Sequence, residues 1–201
     1  MDPSRFALWL DSACAGFDQA ILGAIHQVQQ SGADVILDPL ARLLALLGKG
    51  GICLILLGLV LLACRPTRKL GLGVLLALAI GAICTNVILK PLVLRPRPYA
   101  DETRLIYQWW LEAGAHLESD ASFPSGHTTA ATAAMSALFF LSRRRGRWAY
   151  FLFAAAMALS RLYLVVHYPT DVLAGLLIGF GAGALGAYLT TKLASRSRRF
   201  P

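Results

Sequence analysis

The sequence predicts an all-α membrane protein, a polytopic bundle of five or six transmembrane helices, on three observations. Of its 201 residues 57% are hydrophobic and only 15% charged, against roughly 25% charged in a typical soluble domain. The apolar residues come in blocks of bilayer-crossing length rather than at amphipathic spacing. Basic residues gather in the connectors between those blocks. A chain this small cannot enclose five such helices in polar ones, which argues against a soluble core.

Taken in order, residues 1–48 read as an N-terminal region of interfacial helices, with one possible span. Phe17, Ile21, Leu22 and Ile25 recur at three and four residues, so Phe17–Gln30 reads as an amphipathic helix lying at the membrane surface and ended by Ser31-Gly32. Val35–Leu47 is more apolar but interrupted by Asp38, Pro39 and Arg42, and spanning and surface placement both stay open. Residues 1–15 carry Asp2, Arg5 and Asp11 and lack the basic start and continuous apolar core of a signal peptide.

Residues 49–195 hold the main membrane domain. Leu70–Leu89, Trp148–Val166 and Val172–Thr190 reach the roughly 17 to 25 residues a span needs. Gly50–Cys64 and Gly126–Leu141 fall slightly short and draw on their flanks. The 94–124 segment is the long hydrophilic stretch, in which 105–117 suits a short surface helix, and adjacent Trp109 and Trp110 suit a membrane–water boundary. Residues 196–201 form a basic tail.

The net charge of +8 raises nucleic acid as a partner, but its distribution argues against it. Arg65, Arg68 and Lys69 share one connector, Arg143, Arg144, Arg145 and Arg147 another, and Lys192, Arg196, Arg198 and Arg199 close the chain. Such clusters mark cytoplasmic loops and can also hold anionic lipid. With all three cytoplasmic, the 94–124 segment and the start of the last helix share the extracytoplasmic face of a cell membrane. Cys14, Cys53, Cys64 and Cys84 have neither metal nor redox spacing. No carboxylate cluster suits Mg²⁺, and no obligate protein partner is apparent.

The remaining polar residues concentrate at one depth in three groups. Lys90, Arg95 and Arg97 end the second block, Ser122 to Thr128 opens the third, and Ser160, Arg161, His167 and Asp171 bracket the turn into the fifth. Charge at membrane depth is costly and marks function by default. Lysine and arginine in this company suit a tetrahedral oxyanion. Pro124 fits a first helical position, leaving the N–H groups of Ser125, Gly126 and His127 to cradle an anion. Asp171 lies four residues beyond His167 and can orient its ring, which frees His127 to act as an acid. Taken singly, each has a plainer reading: a helix start, a snorkelling cation, an interfacial ring.

Together the three groups resemble the type 2 phosphatidic acid phosphatase (PAP2) family. Lys90 to Pro98 (KPLVLRPRP) is similar to its first motif, Pro124–His127 (PSGH) to its second, and Ser160 to Asp171 (SRLYLVVHYPTD) to its third, in order and with matching spacings. The resemblance implies a bacterial-type lipid phosphatase that uses no cofactor and no metal. It implies that Lys90, Arg97, Ser125, Gly126 and Arg161 bind phosphate, that His167 is the nucleophile forming a phosphohistidine, that His127 is the acid, and that Asp171 orients His167. Arg95 lies outside the family pattern, and a second phosphate and lipid headgroups are both open as its contacts. Undecaprenyl pyrophosphate is the favoured substrate, with phosphatidylglycerophosphate and phosphatidic acid as alternatives. A protein that binds or transports an anionic lipid is the alternative of another class.

Overall fold

The computed structural model describes residues 2–196; residues 197–201, with Arg198 and Arg199 of the basic tail, lie outside the described residues. Helix α1 (Arg5–Ala13) starts at Ser4, whose hydroxyl accepts the Ala7 N–H at 3.1 Å. Helix α2 (Ala15–Val28) buries Asp18 and Leu22, four residues apart on one face. A π-type turn over Gln29–Ala33, with Gly32 at φ +83°, redirects the chain into α3 (Asp34–Gly48). The open segment 35–47 is therefore helical, and it packs against α9 (Tyr150–Tyr163). Gly50 and Gly51 take φ of +60° and +68°, a left-handed pair that side chains resist, and turn the chain into α4 (Ile52–Ala63).

Helix α5 (Arg68–Ala82) continues through a π-helical stretch, Ile83–Leu89, into α6 (Lys90–Val93). The hydrophilic segment carries the expected short helix, α7 (Leu105–Glu112). It is followed by α8 (Gly126–Leu141), α9 and α10 (Pro169–Arg196). Arg65–Val93 and Pro169–Arg196 are each long and apolar enough to cross a membrane; the apolar stretch Ala15–Ala63 is so only in sum, because the turns at Gln29–Ala33 and Gly50-Gly51 divide it into α2, α3 and α4. Helices α8 and α9, with 16 and 14 residues, extend only about 24 and 21 Å at 1.5 Å per residue, short of a roughly 30 Å hydrocarbon core. Helix α8 is sheathed by α4, α5, α9 and α10 and is buried along most of its length, so it need not match the lipid itself.

Close approach of α10 to α8 depends on Gly175, Gly179 and Gly183, a small residue at every fourth position. A Cβ at Gly179 would stand 2.6 Å from the Thr129 carbonyl oxygen, and one at Gly183 would stand 2.4 Å from the Ser136 Cβ. Gly179→Ala is expected to cost about 1–3 kcal/mol through overpacking, read as a lower thermal midpoint in detergent. Gly181→Ala, whose Cβ meets nothing within 4 Å, should leave the midpoint unchanged or raise it. Away from this seam Leu173, Leu177 and Phe180 are exposed, as are Ile52, Leu56 and Val60 of α4, an apolar surface suited to lipid.

The ends of the bundle differ in chemistry. Thr67 and Arg144 line one cavity, and a Cβ at Gly73 would touch Leu141 and Thr190. The two basic connectors and the described start of the basic tail thus share one end. The motif residues gather at the other.

Candidate active site

Two strained turns deliver the first and third motifs. Leu94, which caps α6, has φ +53°, and Val165, two residues before His167, has φ +52°. A β-branched residue is a genuine outlier there, and such strain, of order 1–3 kcal/mol, persists only where surrounding structure over-determines it. The first turn aims Arg97 inward and the second folds His167 back over the start of α10. Lys90, Arg97, Arg161 and His167 are all buried.

Lys90, Arg97, Gly126, His127 and His167 line one cavity of about 280 Å³, which continues past Asn86 and Thr85 to Ile55 and Leu78 of α4 and α5. Arg97 Nη1 donates to the Val166 carbonyl at 2.7 Å and lies 3.1 Å from His167 Nε2. A guanidinium only donates, so Nε2 must offer its lone pair and the ring proton sits on Nδ1. That is the tautomer a nucleophilic Nε2 requires. Burial, then the charges of Arg97 and Lys90, holds the His167 pKa well below the ordinary imidazole value, and the ring stays neutral at pH 7.

On the Nδ1 side, Asp171 Oδ2 lies 3.6 Å away, beyond a formed hydrogen bond. The Ser122 hydroxyl lies beside both, donating to Asp171 Oδ2 at 2.6 Å and standing 3.5 Å from Nδ1. Asp171 Oδ2 also accepts the Tyr168 N–H at 2.9 Å. The expected direct His–Asp link is therefore a three-membered arrangement, and Ser122 is its unforeseen member.

Helix α8 begins differently from the expectation. Gly126 is its first residue and Ser125 the capping one, so Pro124 lies just outside. The Ser125 N–H donates to the Asp171 carbonyl at 3.1 Å, and its hydroxyl pairs with Thr128 Oγ1 at 3.0 Å. Ser125 thus ties α8 to α10, and neither it nor Arg161 lines the cavity. Gly126 does: a Cβ there would meet Asn86 Oδ1 at 3.6 Å and Lys90 Nζ at 3.8 Å.

Two loop carboxylates, not anticipated from the sequence, engage the cations. Asp120 pairs with Lys90 and accepts from Arg97 Nη2 at 2.5 Å, while Arg97 Nε donates to its carbonyl at 3.0 Å. Glu118 accepts from Arg161 Nη1 at 3.1 Å. Arg161 Nε and Nη2 are buried with no hydrogen-bond partner among the described residues. Tyr99 holds this loop through both backbone groups of Glu118 and stacks on Trp110, while Trp109 stacks on His26. The paired tryptophans are buried and anchor the cap rather than marking a lipid boundary.

Although burial opposes ionisation, the Lys90 and Arg97 contacts hold the Asp120 pKa below the usual carboxylate value. With a depressed folded-state pKa, this anchor is present above the ordinary value near 3.9 and is lost as pH falls through the lower one. Asp120→Asn should lower KM for a phosphate substrate by up to about fivefold, the scale of a half-exposed ion pair, with kcat little changed; steady-state kinetics check it.

Family comparison matches residues 70–195 to the PAP2 superfamily. Decaprenylphosphoryl-5-phosphoribose phosphatase of Mycobacterium tuberculosis is 36% identical over 68% of this chain and 69% of the relative. Undecaprenyl-diphosphatase BcrC of Bacillus subtilis is 32% identical over 53% of this chain, a match spanning 51% of that relative's length. Among solved structures, the transmembrane PAP2 type phosphatidylglycerolphosphate phosphatase from Bacillus subtilis superposes with a TM-score of 0.63 at 24% identity, covering 98% of this chain and 96% of that one. This likeness establishes the membrane-bundle fold. All three motif segments fall inside the matched stretch, and the chain belongs to the PAP2 superfamily.

Proposed function

We propose that this chain is an integral membrane phosphatase that hydrolyses a lipid phosphate or pyrophosphate through a phosphohistidine on His167. The observation that carries this reading is the cavity in which Lys90, Arg97 and the His167 Nε2 lone pair meet, continuous with apolar residues of α4 and α5. Nε2 attacks phosphorus, and the leaving oxygen takes a proton from His127. Water then hydrolyses the P–N bond. Lys90, Arg97, Arg161 and the Gly126 amide neutralise the phosphoryl oxygens, and Asp171 with Ser122 keeps the ring proton on Nδ1. Arginine and lysine supply the positive charge, so the reading includes no metal.

A polyprenyl pyrophosphate, such as undecaprenyl pyrophosphate, is the favoured substrate. Relatives named for undecaprenyl and decaprenyl lipids support it, as does an apolar extension of the cavity suited to a tail. Phosphatidylglycerophosphate and phosphatidic acid are the runners-up; a lipid A 4'-phosphatase of Bacteroides thetaiotaomicron is also related, at 35% identity. The positive-inside pattern supports a cell membrane location with the site facing outward.

Purified protein in detergent should release phosphate from C55 pyrophosphate faster than from phosphatidylglycerophosphate or a soluble ester, with or without EDTA. Chelator-sensitive turnover would refute the chemistry. Binding without turnover would favour an anionic-lipid carrier.

A further inference from the structure

Arg95 was open to a second phosphate or to headgroups, and the structure turns it away from both. Its side chain is 1% exposed and points behind the catalytic pair. Nε donates to Asp11 Oδ1 at 2.7 Å, Nη2 to Asp18 Oδ2 at 2.9 Å, and Nη1 to Asp171 Oδ1 at 2.6 Å and Thr170 Oγ1 at 2.7 Å. The guanidinium also sits 4.0 Å above the Tyr168 ring. Asp18 in turn accepts the Thr170 N–H at 3.0 Å and its hydroxyl at 2.8 Å.

Asp11 and Asp18 belong to α1 and α2, outside the stretch matched to the family. Asp18 is 2% exposed, and a carboxylate is seldom buried so deeply unless paired. Arg95 takes Oδ1 of Asp171, which leaves Oδ2 for Ser122, the Tyr168 N–H and the His167 side. Rotation of the carboxylate would break contacts at both oxygens. One guanidinium faces three carboxylates, so the ground behind His167 Nδ1 is negative and favours a proton there.

We infer that Arg95, gripped by Asp18 and Asp11 of the N-terminal helices, is a positioning residue that fixes Asp171 and through it the tautomer of His167. The N-terminal helical pair is thereby part of the apparatus that aligns the nucleophile. This inference rests on the reading of His167 as the nucleophile.

The test compares Asp18→Asn, Arg95→Ala and Arg95→Lys in the full chain, assayed in detergent on C55 pyrophosphate. Loss of such an outer contact typically costs about 10–100-fold. Asp18→Asn should lower kcat by that factor with KM unchanged. Arg95→Ala should lose more, and Arg95→Lys should recover part of it. Should Arg95→Ala not fold, Asp18→Asn carries the test. A lower thermal midpoint with unchanged kcat would overturn the inference, as would a raised KM with kcat intact, which would mean substrate binding. Nitrogen-15 spectra of labelled histidine give a readout independent of turnover: the His167 signal, assigned by its absence in His167→Asn, should show Nδ1–H in the wild type and a tautomer mixture in Asp18→Asn. An unchanged tautomer there overturns the positioning role. A wild type that turns over no lipid phosphate, yet shows the Asp18-dependent tautomer, overturns the proposed function alone.

Discussion

Replacing His167 with asparagine should reduce phosphate release from C55 pyrophosphate by about 10⁴-fold or more, the scale seen when a nucleophile or its base is removed. Asparagine fills similar space and can accept the Arg97 hydrogen bond, so the bundle should melt near the wild-type temperature. It has no ring nitrogen to form a phosphorus–nitrogen bond. Wild-type enzyme quenched during turnover of labelled substrate should carry an acid-labile phosphoryl group, and His167→Asn should carry none. Retention of turnover by the variant would move the chemistry to another residue, with His127 the first to examine.

Arg97→Lys should be nearly as damaging, lowering kcat/KM by about 10²–10³-fold, the loss expected for one preorganised transition-state donor. The charge survives, but the fork does not. Arg97 reaches the Val166 carbonyl, the Asp120 carboxylate and the His167 Nε2 from one rigid plane. An ammonium cannot match that geometry. Freed of its guanidinium anchor, the 113–122 loop should also exchange its amide hydrogens faster, which mass spectrometry can follow in the same preparation.

The bundle and the motif residues were legible because their signals are local. Apolar block length announces a span, and α8 has the bounds of the apolar block read from the sequence. Lys90, Gly126, His127 and His167 line one cavity, as their common predicted depth required. What escaped was pairing over long separations. Nothing in α2 marks Asp18 as the partner of a threonine 152 positions away, because a single carboxylate on an amphipathic helix reads as solvated. Nothing in the hydrophilic stretch marks Glu118 and Asp120 as partners of the cations, and Ser122, though grouped with the motif residues, carries no sign of its bond to Asp171. Ser125 shows the converse: the tetrapeptide placed it at the site, but its N–H and hydroxyl were already spoken for by α10 and Thr128. Fine hydrogen-bond allocation at a helix start depends on the neighbouring helix, and one chain segment cannot report it.

If the cation cluster binds phosphate, as proposed, Asp120 and Glu118 make it an ion exchanger. Lys90, Arg97 and Arg161 carry three positive charges already offset by two carboxylates of the same chain. A ligand that settles there swaps one anion for another, and its affinity is the difference between the two. If the site takes a lipid phosphate, as proposed, weakly charged headgroups should lose that exchange and a pyrophosphate, with more negative charge in a small volume, should win it. In the proposed phosphatase these tethered carboxylates would re-pair with the cations as product phosphate leaves. On that reading the loop would set a charge-density threshold for the substrate.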